Sequence, residues 1–121
     1  KVIADHIRST ALLIADGVIP SNEDRGYVLR RIKRRALRHG HKLGMTAPYH
    51  HRLVSAVSAT LGDAYPELKT GFKAIEAVVE REEQRFAETL DRGMNLLEAE
   101  VDTCGGGLSG QFVFRLYDTY G

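Results

Sequence analysis

The stretch that decides the fold of this chain is PSNEDRGYVLRRIKRRALRHG, residues 20–40. Ser21 is a residue type that favours the cap of a helix, and the two acids in the following turn would complement the helix dipole. A helix that starts there runs to about His39 and stops at Gly40, because glycine commonly follows the last helical residue. The stretch therefore predicts one helix, the second of the chain.

This second helix is predicted to have an apolar side and a basic side. At about 100° per residue, the apolar face gathers Val28, Leu29, Ile32 and Ala36. The opposite side carries a row of arginines spaced four apart, with a fourth beside it: Arg30, Arg34, Arg38 and Arg31. Like charges four residues apart weaken an isolated helix, whereas a row of guanidinium groups fits a phosphate backbone. The row therefore indicates a polyanionic partner.

Charge is divided unevenly between the two halves of the chain. Residues 1–60 carry eleven Lys or Arg against four acids, whereas residues 61–121 carry six against twelve. Residues 25–42 hold eight basic residues and no acid, which is typical of a surface that binds a polyanion. The alternative is that the acidic half neutralises the basic one, and Arg35, nearer the apolar face, is the candidate for such an internal pair.

Glycine and proline divide the remaining sequence into further helices. Residues 2–16 have helical apolar spacing and end at Gly17, and residues 48–61 predict a third helix with Pro48 as its first residue. No segment alternates with period two for long enough to indicate a strand. We therefore expect an all-α fold.

A long amphipathic helix is predicted from Glu67 to about residue 103. Its apolar seam lapses at Glu82 and Glu83, where we expect a bend or an exposed stretch. Ser109 is the expected cap of a short C-terminal helix. The expected organisation is a single helical domain over residues 1–121, with a basic helical pair at 1–40, a helical hairpin or long helix at 48–103 and a terminal motif at 108–121.

Composition and spacing exclude several other classes of protein. Apolar residues make up 43% and charged residues 27%, so the chain is not wholly disordered, and no apolar run is long enough to span a membrane. The five histidines and the one cysteine, Cys104, lack the spacing of a zinc site, and the glycines at 105–107 lack the Gly-Lys-Ser/Thr of a phosphate-binding loop. We predict no catalytic and no metal-binding residue.

Three stretches closely resemble alanyl-tRNA synthetases. Residues 20–40 are similar to a signature in the helical segment that follows the class II catalytic domain of that family. Residues 2–8, VIADHIR, read like the preceding stretch, and residues 114–121, FRLYDTYG, resemble the next strong motif. Lys33 stands where the family usually has an apolar residue, which predicts a more exposed or more basic position there.

The resemblance implies a parent enzyme that attaches alanine to its tRNA through alanyl-adenylate. That cytoplasmic parent would use ATP with Mg and hold zinc elsewhere. Because the chain does not begin with Met and lacks the class II catalytic motifs, we expect an excised tRNA-recognition segment. Such a segment would be inactive alone, without a cofactor or a membrane partner, and its partners would be the tRNA for alanine and the rest of the synthetase.

By its motifs, the resemblance also implies that Asn22 and Asp118 approach a G·U wobble pair in the acceptor stem. The RNA minor groove is wide and shallow, and guanine presents an amino donor there. An aspartate only accepts hydrogen bonds, whereas an asparagine both donates and accepts. The alternatives are a capping role for Asn22 and a surface or hinge role for Asp118. The predicted tRNA-binding residues are Asn22, Asp118, Arg25, Arg30, Arg31, Arg34 and Arg38.

Two other functions compete with this interpretation. One is a helical protein-interaction scaffold, which the long apolar seam supports; the lapse at Glu82 and Glu83 argues against a continuous coiled coil. The other is a generic basic module that binds nucleic acid.

Overall fold

The computed structural model describes residues 1–46 and 48–120, and in this part of the chain every regular element is helical. The α-helices are α1 Val2–Ala15, α2 Asp24–Lys42, α3 Leu53–Leu61, α4 Glu67–Thr70, α5 Phe72–Cys104 and α6 Gly110–Tyr120, and a 3-10 helix, His50–Arg52, precedes α3. The predicted all-α class is confirmed, with its basic second helix, long amphipathic helix and short C-terminal helix. Expectations that concern Gly121 or the side chains of Cys104 and Tyr120 lie outside the described residues.

Contacts divide the chain into two compact units, Lys1–Gln84 and Arg85–Gly121. The core of the first unit draws its buried apolar side chains from α1, α3, α4 and α5: Ile7, Ala11, Val54, Val57, Leu68, Ile75 and Val79. The second unit contains the end of α5 and all of α6, on which Phe114 and Tyr117 are exposed. The expectation of one domain over residues 1–121 stays a prediction.

Within the described ranges, no helix has both the length and the apolarity that a membrane crossing requires.

The end of α1 follows the sequence prediction. Gly17 has a φ of 89°, a left-handed conformation that glycine adopts at little cost. Its N–H donates to the carbonyl of Ile14 at 2.9 Å, and that of Val18 donates to the carbonyl of Leu13 at 3.0 Å. This paired arrangement satisfies carbonyls that the last turn of a helix otherwise leaves open.

Both ends of α2 differ from the prediction. Glu23, not Ser21, precedes the first helical residue, because the Ser21 hydroxyl donates to the carbonyl of Glu23 at 2.7 Å instead of capping a helix. The helix also continues beyond Gly40 to Lys42. A Cβ on Gly40 would lie 1.8 Å from the Tyr49 hydroxyl, so the glycine provides room for that aromatic ring. Gly40 is a contact point between two segments and does not end the helix.

The later helices also differ from the prediction at particular residues. The segment after Pro48 begins as a 3-10 helix, and Gly71 separates α4 from α5. Glu82 and Glu83 are only 8% and 5% exposed within an uninterrupted α5, so the expected exposed stretch was wrong, whereas the alternative of a bend stays a prediction. The predicted cap of α6 is confirmed, because Phe112 N–H donates to the Ser109 hydroxyl at 3.1 Å.

Candidate RNA-binding surface

The buried face of α2 is not the predicted apolar face. It includes two cations among small and apolar residues: Gly26, Leu29, Arg30, Lys33, Ala36, Leu37 and Gly40. Leu29 and Ala36 are buried as predicted, but Val28 is 54% exposed. At about 100° per residue, the buried face lies roughly a quarter turn away from the predicted one. The side chains of Arg30 and Lys33 therefore point toward the interior of the first unit.

Arg30 forms a buried ion pair with Glu82 of α5. Its Nε donates to Glu82 Oε2 at 3.0 Å and its Nη2 to Oε1 at 2.8 Å, while Nη2 also lies 3.4 Å from the Pro20 carbonyl. Both members are nearly excluded from solvent, Arg30 at 6% and Glu82 at 8%. This two-point geometry fixes the plane of the guanidinium. The prediction that Arg30 lies in an exposed row was therefore wrong.

Lys33 is the second buried cation of α2, at 1% exposure. Its Nζ donates to the Val79 carbonyl of α5. Burial lowers the pKa of Lys33 from 10.5 to about 8, and the charges of Glu83 and Glu82 oppose the shift. The expectation that Lys33 is more exposed than its apolar counterparts in the family was wrong. The two carboxylates on α5 compensate only part of the cost of burying its charge.

Glu83 caps the 3-10 helix from outside. Its Oε1 accepts from the backbone N–H of Tyr49 at 2.7 Å and of His50 at 2.9 Å, and its Oε2 lies 3.2 Å from His51 Nδ1. Burial raises the pKa of Glu83, but the hydrogen bonds from His50, Tyr49 and His51 and the charge on Lys33 outweigh it, so the net pKa is lowered. One carboxylate thus satisfies N–H groups that a helix start leaves open.

Four arginines of α2 are exposed to solvent: Arg25, Arg31, Arg35 and Arg38. Arg31, Arg35 and Arg38 follow one another at spacings of four and three and so share one face of the helix. Arg34 is half-buried. The exposed basic row is therefore displaced from the predicted Arg30, Arg34 and Arg38. The internal pair expected of Arg35 is formed by Arg30.

Arg31 has an aromatic neighbour on the same face of α2. Its Cζ lies 5.8 Å from the centre of the Tyr27 ring, within the range of a cation–π contact. Tyr27 and Arg31 are both exposed. The row thus offers guanidinium groups to a partner in solution, with one of them placed over an exposed ring.

The connection between α1 and α2 lies against the first turn of α2. A Cβ on Gly26 would be 2.3 Å from the Ile19 carbonyl oxygen and 2.8 Å from Ser21 N, so only glycine permits this approach. The connection and the turn line an open concavity that includes Asn22 and Arg25. These contacts hold Asn22 close to the first turn of α2, the helix that carries the exposed arginines.

Asn22 is exposed, and its Oδ1 accepts a hydrogen bond from Arg30 Nη1. The capping interpretation of Asn22 was wrong, because Glu23 is the N-cap residue and makes no side-chain cap bond.

Asp118 is exposed on α6 in the second unit, whereas Asn22 belongs to the first. Their convergence on one base pair stays a prediction. Among residues 1–46 and 48–120, no group of three or more His, Cys, Asp or Glu is placed to hold a metal ion.

Sequence reasoning missed the roles of Glu82, Glu83 and Arg35. A usable signal is present in α5, where Ile75, Val79 and the acid pair follow one another at helical spacing. The acids occupy core positions of the seam, and buried acids require cations or N–H donors as partners. Two adjacent acids in an apolar seam, beside a separate helix rich in arginine, therefore indicate an internal pair.

The whole chain, residues 1–121, matches the family model described as tRNA synthetases class II (A). The chain therefore belongs to the class II (A) tRNA synthetase family. Within that class it is similar to alanine–tRNA ligases, with 60% identity over 122 residues to that of Chromohalobacter salexigens and 59% over 121 residues to that of Neisseria meningitidis. All of this chain is aligned in both comparisons, and it spans 14% of the length of each relative.

We expect Lys33→Met to raise the free energy of unfolding at pH 7 by about 1–3 kcal/mol, because the lowered pKa of Lys33 means that burying its charge costs more than Glu83 and Glu82 compensate. The folded-state pKa of Lys33 is about 8 against 10.5 for the free group. Between these values the unfolded state binds more protons, so Lys33 makes stability rise with pH in that window. The advantage of Lys33→Met should therefore shrink between pH 7 and pH 9.5.

Urea unfolding at several pH values measures this effect. Lys73→Met, at an exposed lysine of α5, is the matched control and should show no such trend. If the difference in free energy of unfolding between Lys33→Met and the wild type does not change with pH, Lys33 does not have a lowered pKa in the folded protein.

Proposed function

We propose that this chain is the tRNA-recognition segment of an alanine–tRNA ligase and that it binds the acceptor stem of the tRNA for alanine. The exposed row of Arg31, Arg35 and Arg38 carries the proposal, in a chain that is similar over its whole length to alanine–tRNA ligases. Three guanidinium groups on one helix face can contact successive phosphates. Arg25 and Asn22 line the concavity at the start of the same helix.

In this proposal the complete ligase is a cytoplasmic enzyme that uses ATP with Mg and forms alanyl-adenylate. Its zinc site would lie outside this segment. We assign no residue of this chain to ATP, to Mg or to zinc, and none to catalysis. Its contribution is to select the tRNA.

Base selection would fall to Asn22 and Asp118. Their small polar side chains suit the wide minor groove of RNA, in which a G·U pair presents the guanine amino group as a donor. The carboxylate of Asp118 can only accept, and so it suits that amino group. The arginine row would hold the stem in register without reading its sequence.

The exposed arginines should contribute affinity without specificity. We expect Arg31→Ala and Arg38→Ala each to weaken binding to acceptor-stem hairpins nearly equally for G·U and G·C stems, because phosphates carry no base identity. Each lost contact should lower the slope of log affinity against log salt by about one unit. Binding to both hairpins at increasing NaCl measures this.

Arg52→Ala is the matched control, since Arg52 is an exposed arginine on the 3-10 helix. It should leave the slope unchanged. Wild-type binding without a salt slope would contradict the phosphate contacts, and would favour a scaffold that docks a protein.

Asp118 should contribute specificity. In the full-length ligase, we expect Asp118→Asn to reduce the preference for the G·U stem by about tenfold or more, because a good base contact is worth about 1–3 kcal/mol. Alanine activation should stay near the wild-type rate, because it precedes tRNA binding. The ratio of kcat/KM for G·U and G·C hairpins measures the preference, and pyrophosphate exchange measures activation.

Asp102→Asn provides the control, at another exposed aspartate of the second unit. It should retain the preference. If Asp118→Asn lowers both steps equally, Asp118 stabilises the fold and does not contact the base pair.

A further inference from the structure

Asn22 is exposed, yet an internal hydrogen bond holds its side chain. Its Oδ1 accepts from Arg30 Nη1, and the same guanidinium donates to Glu82 through Nε and Nη2 at 3.0 and 2.8 Å. A continuous chain of hydrogen bonds therefore runs from α5 through α2 to the concavity.

The guanidinium has little freedom to turn away from Asn22. Two parallel bonds to one carboxylate fix its plane, and the Pro20 carbonyl accepts from Nη2 at 3.4 Å. Arg30 and Glu82 are 6% and 8% exposed, so a rotation that broke the pair would leave charges buried without partners. Nη1 is consequently a fixed donor beside the connection between α1 and α2.

A fixed donor determines which end of the Asn22 amide faces outward. The terminal torsion of asparagine is broad, so an unrestrained amide can present either its oxygen or its nitrogen. With Oδ1 bound to Arg30, the two donors on Nδ2 are the groups left for a ligand. In the RNA minor groove, those donors suit the base acceptors and the 2′-hydroxyl and do not suit the guanine amino group.

We infer that Arg30, anchored by Glu82, is a positioning residue that sets Asn22 as a hydrogen-bond donor toward the acceptor stem. This inference rests on the proposed function and deepens it. Asn22 and Asp118 then have opposite tasks, since Asn22 donates and Asp118 accepts. Arg30 differs from the exposed arginines of α2, because it acts through Asn22 and does not bind a phosphate.

The test measures the G·U over G·C preference of the full-length ligase, as the ratio of kcat/KM on the two hairpins. Arg30→Lys keeps the charge opposite Glu82 but cannot make two parallel bonds to it and still reach Asn22. We expect the preference to fall by about tenfold. A purely structural role would lower the rates on both hairpins by the same factor. Arg52→Lys, at an exposed arginine outside the basic row, should keep the preference.

Combining variants shows whether Arg30 acts through Asn22. Asn22→Ala alone should reduce the preference by about tenfold or more. Adding Arg30→Lys to Asn22→Ala should cause no further loss, because the group that Arg30 positions is already absent. If Arg30→Lys lowers the preference in Asn22→Ala by the same factor as in the wild type, the inference is overturned.

Glu82→Gln provides a second route if Arg30→Lys fails to fold, as judged by circular dichroism. Glutamine keeps the size of Glu82 but offers one acceptor oxygen, so the guanidinium loses its two-point anchor. The G·U over G·C preference of the Glu82→Gln ligase should fall, as for Arg30→Lys. Adding Asn22→Ala to Glu82→Gln should lower the preference no further than Asn22→Ala alone does.

Two failures are distinguishable. If Asn22→Ala keeps the wild-type preference, the proposed base contact fails and the inference fails with it. If Asn22→Ala loses the preference while a folded Arg30→Lys or Glu82→Gln keeps it, the proposed function stands and only the positioning role is overturned.

Discussion

The ion pair between Arg30 and Glu82 is the interaction on which the arrangement of the first unit depends. It joins the middle of α2 to α5 and, through the Pro20 carbonyl and Asn22, to the connection that precedes α2. Buried ion pairs contribute little net stability, but removing one partner leaves an uncompensated charge and costs about 3–5 kcal/mol. The pair therefore determines how α2 is oriented more than how stable the protein is.

The orientation of α2 decides what the surface offers a ligand. With Arg30 and Lys33 facing α5, the exposed side of α2 carries Arg31, Arg35 and Arg38. Glu83 holds the start of the 3-10 helix in the same unit, through the backbone N–H groups of Tyr49, His50 and His51. The two adjacent acids of α5 thus have separate tasks, one toward α2 and one toward the 3-10 helix. The buried side of α2 thus carries an arginine that is paired with an acid of α5, and its exposed side carries the basic row.

The sequence predicted the helical class, the end of α1 at Gly17 and the cap of α6 at Ser109, because these depend on local backbone chemistry and apolar spacing. It did not predict which arginines are exposed. Periodicity placed Arg30 on the solvent side of α2 and Arg35 nearer the core, whereas Arg30 is buried because it pairs with Glu82, some fifty residues later, and Lys33 is buried beside the same segment of α5. Tertiary packing determines whether a charged side chain of α2 is exposed to solvent or pairs with a residue that is distant in the sequence. The resemblance implied a role for Asn22, but its bond to Arg30 joins residues that the helical pattern does not place in contact.

A double-mutant cycle on Arg30 and Glu82, read as the free energy of unfolding in urea, tests most directly whether the two residues form one unit. Arg30→Met and Glu82→Met should each cost about 3–5 kcal/mol, because each leaves a buried charge alone. The double variant, which buries neither charge, should cost far less than the sum of the two single variants. Additivity within about 0.5 kcal/mol would contradict the account, since it would mean that Arg30 and Glu82 do not depend on each other.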